Sequence, residues 1–140
     1  MRGGYSAVSR EELESISNAI EKLGYELASK HQTSLEGIQK DSKLTSTQIH
    51  DRDHLWLTES EIGIFEISNS SLGVGGEISD MVHLKKPVLC LFKKGLEVKV
   101  SAYICGKEGS KYITTPFESY AYETVEDAKN KIKEFVDSYL

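Results

Sequence analysis

Cysteine is scarce: Cys90 and Cys105 are the only two in 140 residues, and they do not form a CxxC pair. Nothing in the sequence therefore demands disulfides, and the chain fits a reducing cytosolic or nuclear compartment. Cys90 lies inside an apolar run and reads as a small buried hydrophobe. Long hydrophobic runs are missing too. None approaches the length that spans a bilayer, and the first residues lack the apolar core of a signal peptide. Positive charge is in deficit. Lys and Arg number 17 against 22 Asp and Glu, a net charge of -5. That balance argues against a grip on the backbone of a nucleic-acid polymer. It leaves room for a small phosphorylated ligand held locally. No internal repeat or low-complexity tract is evident, and 140 residues suit one compact domain over 1–140 with an ordinary core.

What is present alternates between two periodicities. Ser9-Arg10-Glu11-Glu12 forms a capping box ahead of Leu13, Ile16, Ile20 and Leu23 at helical spacing, with Gly24 as a left-handed stop. Tyr25 to Ser29 reads as a short strand, and His31 to Leu44 as a polar surface loop. A second helix is expected from Thr45 to Glu59 with Ile49 and Trp56 inward. Ile62, Ile64, Phe65 and Ile67 form a buried strand. Ile78 to His83 begin a third helix, and Pro87-Val88-Leu89-Cys90-Leu91-Phe92 reads as a strand covered on both faces. A short helix is expected over Val98–Cys105 and a weaker strand at Lys111–Thr115. The last helix opens at Thr124, with Val125, Ala128, Ile132, Phe135, Val136 and Tyr139 on one stripe. Strands alternating with helices imply an α/β fold, a parallel sheet with helices on both faces. Ligands in such sheets bind beyond the carboxyl ends of the strands.

One segment sits at that end: Ser68-Asn69-Ser70-Ser71-Leu72-Gly73-Val74-Gly75-Gly76-Glu77. Read as a glycine loop opening a helix, it lets backbone amides approach an anion, with Ser70 and Ser71 adding hydroxyls. It is neither a P-loop nor a dinucleotide fingerprint, because GxxxxGK[ST] and GxGxxG spacing both fail. Glu77 is the odd member. A carboxylate beside a bound phosphate suits attack on the sugar carbon next to it. Its plainer reading is as a complement to the helix dipole in the first turn. A second cluster, His50-Asp51-Arg52-Asp53-His54, lies on the second helix. His50 and His54 share a face, but the zincin pattern fails at Asp51 and no third ligand is evident, so no metal is expected. Asp53 shares the inward side with Ile49 and Trp56, where an acid needs a reason; a cap, or a salt bridge with Arg52 or a nearby lysine, is the plainer one. Trp56 is expected as a core anchor, Lys85-Lys86 and Lys93-Lys94 as solvated ends, and Tyr103, Tyr112, Tyr120 and Tyr122 as surface or edge packing.

Together these segments resemble the 2'-deoxynucleoside 5'-monophosphate N-hydrolases of the nucleoside 2-deoxyribosyltransferase superfamily. The resemblance rests on Arg2-Gly3-Gly4, Ile49–Leu57, Ser71-Leu72-Gly73-Val74-Gly75 with Glu77, Leu89-Cys90-Leu91-Phe92, and Ser101-Ala102 with Ile104. It implies a flavodoxin-like, doubly wound sheet and a homodimer. It implies hydrolysis of the N-glycosidic bond of a deoxynucleoside monophosphate, without cofactor. Glu77 would be the nucleophile and Asp53 would position the sugar and assist proton transfer. Ser71, Gly73 and Gly75 would hold the phosphate, Ser101 would reach it from the other subunit, Arg2 and Gly3 would line the pocket, and His31 would stand on the base side. A binding protein without turnover, a deoxyribosyltransferase and a CMP-type hydrolase are the alternatives. The family pattern has one further central strand, bearing a tyrosine, ahead of Arg2. Without it the Tyr25 and Ile62 strands would each face an empty slot. Gly76 stands where the family has a bulky aromatic.

Overall fold

The computed structural model describes residues 8–28 and 39–140. Helix α1, Arg10–Lys22, starts at the expected capping box. The Ser9 hydroxyl accepts from the Glu12 N–H at 3.2 Å, and the Glu12 carboxylate accepts from the Ser9 N–H at 2.8 Å. It stops at Gly24, whose φ of +89° is open to glycine at no steric penalty. A second capping box, between Thr45 and Gln48, opens α2, Ser46–Glu59. Strand β1, Gly63–Glu66, follows, then α3, Leu72–His83, and β2, Val88–Lys93. Helix α4 is one turn, Ala102–Cys105, shorter than the expected Val98–Cys105 and leaving Val98 exposed. Strand β3, Phe117–Tyr122, and helix α5, Val125–Tyr139, complete the chain.

The three strands form one parallel sheet in the order β1-β2-β3. Central β2 is buried through Phe92, as its unbroken apolar run predicts. Its side chains alternate between two cores. Leu89 and Leu91 join Ile16 and Ile20 of α1 and Ala128, Ile132, Phe135 and Val136 of α5. Val88 and Cys90 face the other way, onto Ile78 and Met81 of α3, Ile104 and Phe117. Each such fully buried aliphatic or aromatic side chain contributes roughly 1.5–3 kcal/mol. The expected α/β sheet with helices on both faces is the observed one. Gly63 is required by packing: a Cβ there would lie 2.7 Å from the Phe65 ring and 3.1 Å from the Met81 methyl.

Two expected strands are not strands. Tyr25–Leu27 has no regular structure and Ala28 lies in a turn, while Ser29 is outside the described residues. The physical reason is the lack of a partner among the described residues. Gly63 and Ile67 donate their N–H groups to Pro87 and Leu91 on the β2 side. Alternation therefore aims the amides of Ile64 and Glu66 at the opposite edge. Between that edge and Tyr25–Ala28 lies a cavity of about 520 Å³. Among the described residues neither side finds a ladder across it. Lys111–Thr115 is likewise no strand: Lys111 and Tyr112 lie in a turn, Ile113 and Thr114 have no regular structure and Thr115 is a bend, with the Ile113 N–H donating to the Ser110 carbonyl. Pairing begins only past Pro116, whose carbonyl accepts from the Val88 N–H at 2.9 Å.

The cavity also accounts for α2. None of its residues is buried, and Ile49 and Trp56 are only partly covered: part of its inner face borders this cavity, while Leu57 packs against the core around Ile78 and Met81. What pins its end is Lys86, whose ammonium donates to the carbonyls of Leu57, Thr58 and Ser60 at 2.8, 2.5 and 2.5 Å. These are the orphan acceptors of a helix C-terminus, where a cation is favoured. Lys86 is thus a cap, not a solvated end. Lys93 and Lys94 are paired as well, with Glu12 at 2.8 Å and Glu123 at 2.5 Å. Of the tyrosines, Tyr103 and Tyr112 are exposed, whereas Tyr122 is buried.

Candidate active site

The glycine stretch is helix, not loop. Ser71 is the N-cap of α3, its hydroxyl accepting from the Val74 N–H at 3.3 Å and its carbonyl from the Gly75 N–H at 3.1 Å. Gly73, Gly75 and Gly76 all lie within the first turns, and none has a positive φ. The amides of Leu72 and Gly73 are left without a partner among the described residues, as the first donors of a helix are. Glu77 is the sixth residue of α3, past the first turn, so it is not a dipole complement there. It stands one turn after Gly73 on the same face, and its side chain tilts back toward the helix start. Gly73 has no side chain to block that direction.

Glu77 and Asp53 line the same cavity, together with Trp56, Leu57, Phe65 and Met81. They come from different helices, α3 and α2, which pack against each other. Burial raises the Glu77 carboxyl above its ordinary range, and the nearby charges of Asp53 and Asp80 push it the same way. Asp53 is held by the residue before it: one carboxylate oxygen, Oδ1, accepts from Arg52 Nε at 2.9 Å and from Nη2 at 2.7 Å. The salt bridge and the inward position expected as competing explanations of Asp53 coexist. Arg52 reaches Asp41 on its other side, at 2.5 and 3.3 Å, and lies over the Trp56 ring at 4.6 Å.

Ser71, Gly73, Gly75 and Ser101 do not line this cavity. Ser71, Gly73 and Gly75 sit at the α3 start, toward the carboxyl end of β1. Ser101 caps α4, its hydroxyl accepting from the Ile104 N–H at 3.3 Å. Arg2, Gly3 and His31 lie outside the described residues. His50 and His54 stack at 5.8 Å, and His54 comes within 3.9 Å of Asp80. Among the described residues no group of three or more His, Cys, Asp or Glu side chains could hold a metal ion. Burial pushes the Cys90 thiol up to about 12, consistent with an inert core residue.

Sequence reasoning passed over two features. Asp41 lies eleven residues before Arg52, and no local pattern marks the pair. Glu66 ends β1 half-buried, and burial raises its carboxyl. It accepts from the Ser68 hydroxyl and N–H and from the Tyr122 hydroxyl at 3.4 Å, and Ser68 Oγ accepts from the Lys93 N–H at 2.8 Å. This network ties together the carboxyl ends of all three strands and fixes where the segment leading to Ser71 departs. A carboxylate at the end of an apolar run was the available signal.

Known proteins share this arrangement of elements. No family model matches the chain. A Thermofilum pendens protein, provisionally named 2'-deoxynucleoside 5'-phosphate N-hydrolase 1, is 30% identical over 132 residues, which cover 94% of this chain and 87% of that one. The chain belongs to the 2'-deoxynucleoside 5'-phosphate N-hydrolase family. The 5-hydroxymethyl-dUMP N-hydrolase of Mus musculus is 37% identical over 93 residues, 66% of this chain and 50% of that protein. The chain spans about half the length of the vertebrate 5-hydroxymethyl-dUMP N-hydrolases that it matches. In fold, this family member is similar to the CMP N-glycosidase of Clostridium botulinum, with a TM-score of 0.68 and 15% identity over 90% of this chain and 89% of that one. No helix among its described residues is long and apolar enough to cross a membrane.

Proposed function

We propose that the chain hydrolyses the N-glycosidic bond of 2'-deoxynucleoside 5'-monophosphates, releasing free base and 2-deoxyribose 5-phosphate. The observation that carries this reading is the pair Glu77 and Asp53, two carboxylates from separate helices on one cavity. Family membership supports it. The start of α3 is the seat for the phosphate: the free amides of Leu72 and Gly73, the helix dipole and the Ser71 hydroxyl all favour an anion there. Glu77 is five residues farther along, about 7.5 Å of helix rise. A sugar phosphate anchored at that end spans the gap toward the acid. Such anchoring can supply about 7–11 kcal/mol of the barrier through pre-orientation.

In the first step a Glu77 oxygen bonds to the anomeric carbon while the bond to the base breaks. The electron pair leaves with the base nitrogen, which takes a proton from a side chain or water. Water then attacks the same carbon, gives up a proton and frees Glu77 as carboxylate. Asp53 holds the sugar through the scissile step and assists proton transfer. Two carboxylates in a retaining sugar hydrolase stand roughly 5 Å apart. No metal or organic cofactor takes part. Gly75 lets the helix start approach closely, and the family resemblance alone assigns substrate contacts to Arg2, Gly3 and His31, which lie outside the described residues. Ser101 acts across a homodimer, at the same strand-end face as exposed Leu72, Val98 and Tyr103. The setting is cytosolic or nuclear.

The test is incubation with a panel of deoxynucleoside 5'-monophosphates, the matching nucleosides without phosphate, and CMP. Free base should appear from the deoxynucleotides, fall sharply without the 5'-phosphate, and vanish in Glu77→Ala. Release from none of them, or undiminished release by Glu77→Ala, refutes the reading.

A further inference from the structure

Arg52 is engaged on three sides, and each contact limits a different freedom. Asp41 takes Nη1 at 2.5 Å and Nη2 at 3.3 Å, which fixes the far edge of the guanidinium. The Trp56 ring, 4.6 Å below, fixes its plane. The remaining edge, Nε and Nη2, then forms a fork at 2.9 and 2.7 Å. Both prongs fall on one oxygen of Asp53, Oδ1. The other oxygen, Oδ2, has no partner among the described residues, in a side chain that is only 17% exposed and lines the cavity. A planar, doubly bonded fork fixes direction as well as charge, and a lysine cannot reproduce it.

We propose that Asp41, Arg52 and Trp56 form a positioning clamp that aims the free Asp53 oxygen at the sugar of the bound nucleotide. Arg52 is a positioning residue in this scheme and does not itself touch substrate. Asp41 acts at one further remove, by holding Arg52. The inference rests on the hydrolase reading for its kinetic consequence, but the clamp itself is readable without turnover. Its chemistry also divides the labour at the site. Oδ1 is saturated by two N–H donors, so substrate hydroxyls have Oδ2 as their acceptor. Glu77, which meets no cation among the described residues, is left as the group free to attack.

The experiment compares Arg52→Gln, Arg52→Lys, Asp41→Asn and the Asp41→Asn/Arg52→Gln double variant with the parent chain. Misplacing a catalytic group by an ångström can lower the rate by about 100-fold. Arg52→Gln should lose up to about that factor in kcat, with KM near the parent value. Arg52→Lys should lose nearly as much, because it keeps the charge and not the fork. Asp41→Asn should fall in the same direction, and the double variant should be no worse than Arg52→Gln alone. A second readout needs no turnover: the Arg52 Nε–H resonance should be shifted and slow to exchange in the parent, and both Asp41→Asn and Asp53→Asn should move it. Full rescue by Arg52→Lys, independent multiplication of the Asp41 and Arg52 losses, or an Nε–H indifferent to Asp41→Asn overturns the clamp. A parent chain that releases no base sinks the hydrolase reading, and the resonance then decides the clamp alone. Should Arg52→Gln not fold, Arg52→Lys and Asp41→Asn carry the same comparison.

Discussion

Replacing Gly76 by alanine should stabilise the protein, and the same change at Gly63 should do the reverse. Gly76 is the fifth residue of α3, exposed, and a Cβ built there meets nothing within 4 Å. Its φ is not positive, so alanine adopts the same backbone without strain. Glycine inside a helix is less stable than alanine by roughly 0.5–1 kcal/mol, because the unfolded glycine has more freedom to lose. For a domain of this size that corresponds to about 2–4 °C in Tm. Gly75 also has nothing within 4 Å of its Cβ, so the pair of changes should reach about 1–2 kcal/mol. At Gly63 the added methyl would sit 2.7 Å from the Phe65 ring and 3.1 Å from Met81, in a core with no slack. Overpacking of that kind lowers stability by about 1–3 kcal/mol. Urea unfolding, fitted with a common slope, reads both. Loss of stability in Gly76→Ala would show that this segment is a strained loop around an anion and not the opening of a helix.

Glu77→Gln should leave stability unchanged near pH 4 and raise it at pH 7. The folded-state carboxyl titrates above its ordinary value through burial and the Asp53 and Asp80 charges. Stability is therefore fully present below the unfolded pKa and is lost as pH rises through the raised one. A variant less stable than the parent at pH 7 contradicts this. Lys86→Met should lower stability by about 1–2 kcal/mol, as the last α2 carbonyls lose a charged donor; no change in urea midpoint counts against the cap. Phe135→Ala, at a side chain only 1% exposed between α5 and β2, should lower it by about 3–5 kcal/mol. A loss under 1 kcal/mol would mean that the core is not packed as described.

The elements best read from sequence were those whose own residues decide them. The β2 run is apolar on both faces because both faces are covered, and the α5 stripe repeats with the helix. Ser9 and Glu12 satisfy each other within one turn. What failed depended on partners distant in the chain. Tyr25–Ala28 has strand-forming residues but no neighbour to pair with among the described residues. Pro116, not the β-branched run before it, sets where β3 begins. The three glycines look like a loop, yet Ser71 caps the backbone and they enter the helix. At the candidate site, spacing alone favoured plainer readings of Glu77 and Asp53, and the family resemblance paired them; in the fold both line one cavity. Asp41 was not legible, because only the folded chain brings it to Arg52. Lys86 was read as solvated because its three acceptors belong to another helix.

The central claim is that Glu77 takes the sugar. Rapid acid quench of the chain mixed with a deoxynucleoside 5'-monophosphate, followed by mass mapping of its peptides, tests this directly. The account predicts a 2-deoxyribose 5-phosphate adduct on the peptide carrying Glu77, formed as base is released and lost as water resolves it. Base release with that peptide unmodified throughout, or an adduct on another residue, would contradict it.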